Sequence, residues 1–231
     1  MNTLNEAKLT AWLAQKFPNE FGLEIEPIAG GQSNPTWFVN WGKKRLVLRK
    51  KPDGPILPGA HAVEREFLVQ KALQTTNVSV PKVFYLEEDQ TILGTSFYIM
   101  ERLEGRVFSD CFLPGVSNDE RREMYFSVAR TLASLHDVKP NDIGLANYGK
   151  VGNYFTRQIS RWSNQYQKST IPRIKALDEL VEWLPENMPK EDSEVSIAHG
   201  DFRIGNMMFH PTEPKVIAVL DWELSTLGHP L

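Results

Sequence analysis

The sequence predicts an α+β fold in two parts, and three observations predict it. Strand-like segments dominate as far as Leu103, helical periodicity dominates after Glu104, and a hairpin pattern returns between Asn206 and Asp221. A chain of 231 residues has room for one large domain or two small lobes with an ample core. Residues 1–103 read as a small sheet with one packed helix, and residues 104–231 as a mainly helical part.

Leu4, Leu9, Trp12, Leu13 and Phe17 recur near helical spacing, which predicts an amphipathic helix over residues 3–17. Strands follow at Leu23–Ile28, Thr36–Trp41 and Arg45–Lys50, the first two joined by a Gly30-Gly31-Gln32-Ser33-Asn34 turn. A second helix spans Ala60–Gln74, and further strands span Val83–Glu87 and Phe97–Glu101. Beyond the Glu104-Gly105 linker, Ser117 and Glu120 form a capping-box pattern before a helix over Asp119–His136, striped by Met124, Val128, Leu132 and Leu135. Tyr154–Lys168 and Pro172–Leu184 are two more helices, with Pro185 and Pro189 breaking the pattern.

Bulk properties exclude several classes. Hydrophobic and charged contents of 41% and 24% are ordinary for a globular protein, and a net charge of -3 gives no basic field for nucleic acid. The single cysteine, Cys111, rules out an intrachain disulfide and fits a reducing, cytoplasmic compartment; it is expected as a buried or half-buried thiol. No apolar stretch approaches the roughly 18 residues of a membrane span, so no membrane partner is expected. The N-terminal segment carries acidic residues and helical periodicity, so it reads as a folded helix and not a secretory signal.

The chemistry concentrates in HGDFRIGNMMF, His199 to Phe209, and VIAVLDWE, Val216 to Glu223. Asp201, Asn206 five positions later, and Asp221 at the end of a β-branched run have the spacing of a phosphoryl-transfer site. Met207–Phe209 and Val216–Leu220 flank a turn-forming HPTEPK segment, so the two runs should pair antiparallel. A turn centred near Glu213 and Pro214 sets Asn206 opposite Asp221, two hard oxygen ligands for magnesium at one end of a hairpin. Asp201, just upstream, could orient the attacking hydroxyl or take its proton. His199 is expected to hold the loop by hydrogen bonds, not to act as base or ligand.

On the nucleotide side, Val47 and Arg49 share one strand face, as the alanine and lysine of a kinase V-A-I-K strand do. Val47 would touch adenine and Arg49 would reach the phosphates, arginine replacing lysine with its charge and fork kept. Glu66 sits beside the Val63–Phe67 stripe and should pair with that cation, while Lys50 faces the other way. Gly31 and Ser33, in the turn before this strand, could drape backbone N–H groups and a hydroxyl over the phosphates.

These motifs resemble the aminoglycoside phosphotransferase/choline kinase-like family, with its H-G-D-x-x-x-x-N loop and D-x-E or D-x-D metal motif, from about Ile28 to the last residue. GGQSNPTWFV and the segment from His199 onward are similar to the phosphotransferase domains associated with acyl-CoA dehydrogenases. The resemblance implies a protein kinase-like two-lobe fold, with an antiparallel-sheet N-lobe (1–103) and a helical C-lobe (104–231) that stops short of the family's full set of helices. It implies Asp201 as the catalytic residue and Asn206 and Asp221 as magnesium ligands, with Glu223 in a second-sphere or substrate-side position. It also implies a hinge at Phe97–Leu103, where Glu101 and Leu103 would supply a carbonyl and an N–H to adenine and Met100 would flank the ring.

The expected cofactors are therefore ATP and Mg2+, and the expected activity is transfer of the γ-phosphate to a hydroxyl of a small-molecule metabolite. A hydroxyacyl-CoA or related hydroxy acid is the acceptor that the acyl-CoA dehydrogenase association suggests. An incomplete C-lobe would leave apolar surface uncovered and favour association, as a homodimer or with a fused or separate acyl-CoA dehydrogenase. The alternative function is a nucleotide-binding, non-catalytic fragment or pseudokinase-like module.

Overall fold

The computed structural model describes residues 4–28, 34–54, 61–189 and 194–230. These form two compact units, one running to Ser134 and including His199–Ser225, the other comprising Leu135–Ala198 and the residues from Thr226 on.

In the first unit, α1 (Glu6–Lys16) begins where the Asn5 side chain accepts a hydrogen bond from Lys8 N–H, and it buries Leu9, Trp12 and Leu13. Strands β1 (Leu23–Pro27), β2 (Thr36–Trp41), β3 (Lys44–Lys50), β4 (Val83–Glu87) and β5 (Phe97–Glu101) make one sheet, in the order β1-β2-β3-β5-β4. Every neighbouring pair is antiparallel. Alternation sorts the side chains. Leu46 and Leu48 of β3 and Phe97 and Ile99 of β5 join Trp12, Leu13 and Phe17 in the core beneath α1. The opposite face packs Tyr98 against Val63 and Phe67 of α2 (Val63–Leu73). That leaves Val47, Arg49 and Met100 on the same side as α2, lining a cleft.

A four-residue helix, α3 (Gln90–Leu93), is capped by Asp89, whose carboxylate accepts from Thr91 N–H. Strand β6 (Arg106–Val107) leads to α4 (Asn118–Asp137). Ser117 caps α4 by accepting from Glu120 N–H, but the Glu120 carboxylate takes Arg106 Nη1 at 2.7 Å, so the capping box is only half formed. Cys111, in the turn between these elements, is exposed. The expectation of a buried thiol fails because this turn packs through its backbone, with Cys111 O accepting from the Tyr125 hydroxyl.

Strands β8 (Met207–Phe209) and β9 (Val216–Val219) complete a three-stranded sheet with β6. They pair antiparallel, but the register differs from expectation by one residue. Met207 faces Val219, and Leu220 N–H donates to Asn206 O at 2.8 Å, so Asn206 lies opposite Leu220 and not Asp221. Two local causes are visible. His210 Nδ1 accepts from Glu213 N–H and closes the turn early, and a register shift follows between Met208 and Phe209. Asp221 therefore lies past the ladder, at a φ of 64°, a left-handed conformation unusual outside glycine.

The second unit holds β7 (Ser196–Ala198), paired antiparallel with β10 (Thr226–Gly228), and the helices α5 (Tyr154–Lys168) and α6 (Lys175–Glu186). Helix α6 runs through Pro185, contrary to the expected break, because a proline in the last turn removes only one hydrogen bond before the helix ends. Both helices are amphipathic yet carry no fully buried residue; Trp162 and Trp183 are exposed. Among the described residues no helix is long and apolar enough to cross a membrane.

Candidate active site

The cleft of the first unit encloses about 930 Å3 and collects Val47, Arg49, Glu66, Met100, Glu101, Leu103, Asp201, Asn206, Asp221 and Glu223. These are all the site residues named from sequence, apart from Gly31 and Ser33, which lie outside the described residues.

Arg49 is the electrostatic centre. Its Nε lies 2.8 Å from Glu66 Oε2, its Nη2 donates to Glu66 Oε1 at 3.2 Å, and the same Nη2 reaches Asp221 Oδ1 at 2.6 Å. Burial disfavours the guanidinium charge, but Glu66, Tyr98 and Asp221 outweigh that penalty and raise its pKa, so Arg49 stays a cation at any working pH. Glu66 is 1% exposed and fully engaged. Asn34 Nδ2 donates to Oε1 at 2.8 Å, and the Tyr98 hydroxyl donates to Oε2 at 3.0 Å. Gln70 Nε2 in turn donates to the Tyr98 oxygen at 3.1 Å.

Asn34, Gln70 and Tyr98 were not anticipated from sequence. Tyr98 could have been: it lies two residues before Met100 and so shares its strand face. Asn34 and Gln70 carry no comparable signal.

The loop from His199 to Asn206 is organised by His199. Its Nδ1 accepts from Asp201 N–H at 3.2 Å, so Nε2 carries the proton and donates to Leu220 O at 3.0 Å. The ring packs edge-on to the fully buried Trp222, 4.5 Å between centroids. The preceding turn admits only glycine. Gly200 has a φ of 87°, and a Cβ there would sit 2.6 Å from Leu224 O.

Burial pushes the His199 imidazole below its ordinary pKa, against the opposing pull of Leu220 O, Asp221 and Asp201. His136 is shifted the same way, again chiefly by burial. The unfolded chain therefore takes up protons at these rings before the folded chain does. Stability should be full above about pH 7 and fall as pH drops through about 6.5, before the carboxylates titrate. Urea midpoints at pH 7.5, 6.5 and 5.5, on wild type and on His136→Gln, would measure this. A flat profile in both proteins would contradict the assignment of a neutral, buried His199.

Asp201 Oδ2 accepts from Asn206 Nδ2 at 2.8 Å and from Arg203 Nε at 3.0 Å. Burial alone would raise the Asp201 pKa, but these two bonds, with the Arg203 charge, hold it below the usual carboxylate range. Asn206 Nδ2 also donates to Asp201 O at 2.9 Å, which leaves Asn206 Oδ1 without a partner among the described residues. Glu66, Asp221 and Glu223 each bring a carboxylate oxygen within 4.8 Å of the other two. Glu66 is fully engaged by its neighbours, and Asp221, Glu223 and Asn206 line the same cleft.

Comparisons with known proteins show which family the chain resembles. Residues 24–231 match the family described as the phosphotransferase enzyme family, APH. The rat protein named acyl-CoA dehydrogenase family member 11 is 48% identical over 229 residues, 96% of this chain but 29% of its own length, so the chain spans less than a third of that relative. A crystal structure from Ralstonia eutropha, assigned by its name to the aminoglycoside phosphotransferases, superposes with a TM-score of 0.87 at 47% identity, covering 99% of this chain and 67% of that one. A ternary complex of the aminoglycoside phosphotransferase APH(4)-Ia with AMP-PNP and hygromycin B shares the fold, with a TM-score of 0.65 at 18% identity over 96% of this chain and 73% of that chain. A family match across nearly the whole chain, together with a kinase-like cleft built from its own motif residues, identifies this protein as a member of the APH phosphotransferase family.

Proposed function

We propose that the protein is an ATP-dependent O-phosphotransferase that moves the γ-phosphate of ATP to a hydroxyl of a small-molecule metabolite. The observation that carries this reading is the meeting of Asp201, Asn206 and Asp221 with the Arg49–Glu66 ion pair in one cleft. In this reading the lobes divide as 1–103 and 104–231, and ATP lies between them. Val47 and Met100 flank adenine, and Glu101 and Leu103 meet its edge through their backbone. Arg49 faces the phosphates, held in place by Glu66.

The donor set fits magnesium, a hard cation that takes one or two protein oxygens and completes its shell with phosphate and water. Asn206 Oδ1 and Asp221 would hold it, with Glu223 adjacent. Bound there, the ion would neutralise triphosphate charge. Asp201 orients the acceptor hydroxyl. As its oxygen bonds to the γ-phosphorus, the bond to the β–γ bridging oxygen breaks, ADP leaves, and the hydroxyl proton passes to Asp201. Positioning and charge stabilisation supply most of the rate.

The names of the relatives support the proposed acceptor class. They are named as acyl-CoA dehydrogenases, and the matching part is a fraction of their length. A hydroxyacyl-CoA or related hydroxy acid is accordingly the proposed acceptor, with an acyl-CoA dehydrogenase domain, fused or associated, as the partner. The test joins a Mg-ATP thermal shift to an ADP-release screen over hydroxy acids, hydroxyacyl-CoA thioesters and aminoglycosides. The expected result is stabilisation by Mg-ATP and turnover with a hydroxyacyl substrate. Stabilisation without turnover on any hydroxyl compound would instead support a non-catalytic nucleotide-binding module.

A further inference from the structure

We infer that Arg203 is a positioning residue for this transfer, fixing the Asp201 carboxylate so that only Oδ1 is presented to the acceptor. The inference rests on the catalytic reading of Asp201 given above. It is carried by the bonding around one oxygen atom and by the glycine beneath the guanidinium.

Asp201 Oδ2 takes both side-chain donors in reach, Arg203 Nε and Asn206 Nδ2. Oδ1 has no partner among the described residues. A carboxylate bound through one oxygen by two donors from different directions cannot rotate freely about its Cβ–Cγ bond, so the other oxygen has a defined heading. Asn206 alone would leave a single pivot.

The Arg203 side chain is 61% exposed, and such a chain ordinarily samples many rotamers. Its seat is Gly205. A Cβ added there would lie 2.7 Å from Arg203 Nη1, while the next group outside Arg203, Phe108 O, is 3.8 Å away. The absent methyl thus leaves its place to the guanidinium, with no other group in close contact there. Alanine at this position can be accommodated by moving the arginine tip, without disturbing backbone. That makes Gly205→Ala a way to displace the guanidinium while keeping its charge and its chain.

The experiment measures Mg-ATP hydrolysis, with water in the place of the acceptor, and Mg-ATP affinity by calorimetry. Arg203→Ala is expected to lower kcat about 10- to 100-fold, the usual cost of removing a group that orients a reacting one, with KM for ATP within about twofold. Arg203→Lys should recover part of the loss, since it restores one donor to Oδ2. Gly205→Ala should reproduce the kcat loss with an unchanged melting temperature. Wild-type kcat in Arg203→Ala, or a change confined to KM, overturns the inference. So does wild-type kcat in Gly205→Ala. Asp201→Asn separates the two levels. If it hydrolyses ATP like wild type, the catalytic reading itself fails. If it is inactive while Arg203→Ala is not, only the role of Arg203 fails.

Discussion

Asp201→Asn should reduce phosphoryl transfer by about 10²- to 10⁴-fold, the range for loss of a positioned acid or base, while Mg-ATP binds nearly as before. The reason lies in the bonding of the carboxylate. Two donors, Arg203 Nε and Asn206 Nδ2, converge on Oδ2. An amide in this position must turn its carbonyl oxygen toward them, because its NH2 would oppose two donors. The NH2 then takes the place of Oδ1 and offers a donor where the acceptor hydroxyl needs an acceptor. The nucleotide groups assigned to Arg49, Asn206 and Asp221 are untouched. Steady-state turnover beside calorimetric Mg-ATP binding separates the two effects. Near-normal turnover with intact binding would remove Asp201 from its assigned role.

Glu66→Ala should be the most destabilising substitution in the cleft. It strips Arg49 of the buried anion that meets it through two nitrogens and leaves Asn34 Nδ2 and the Tyr98 hydroxyl without their acceptor, in a region where Glu66 is 1% exposed. Breaking a buried ion pair by removing one partner costs about 3–5 kcal/mol. With a urea m-value of roughly 2–3 kcal/mol/M, that lowers the unfolding midpoint by about 1–2.5 M. Arg49 would also lean wholly on Asp221, and Mg-ATP affinity should fall about tenfold, comparable to one charge-assisted hydrogen bond. Glu66→Gln keeps the shape and one acceptor, so its loss should be smaller on both readouts. A midpoint within 0.3 M of wild type for Glu66→Ala (roughly 1 kcal/mol or less at that m-value) would show that the network does not hold the sheet to α2.

The parts of the fold that sequence revealed were those with a period. Side chains alternate faces along β3, so the shared face of Val47 and Arg49 followed from counting by two, whereas Met100 came only from the family resemblance. The α1 and α4 stripes worked in the same way, since Leu9, Trp12, Leu13, Met124 and Leu135 are all buried. Three-residue strands such as β7 and β10 are too short to have a period, and they were missed. The hairpin was recognised but its register was not, because the early closure depends on the His210 side chain and on an irregularity between Met208 and Phe209. Residue type does not encode either. The interactions around Glu66 join Asn34, Gln70 and Tyr98 across 28 to 32 positions of sequence, a distance over which pattern carries no information.

One imidazole touches both carboxylate-bearing loops, through Asp201 N–H on one side and Leu220 O on the other. A tether of two hydrogen bonds across a rigid aromatic ring works as a ruler. Thermal jitter of the Asp201 loop is transmitted to the backbone next to Asp221, so the two drift together and their separation varies less than either position. Slack needed to admit or release a ligand must then come from other segments of the cleft wall.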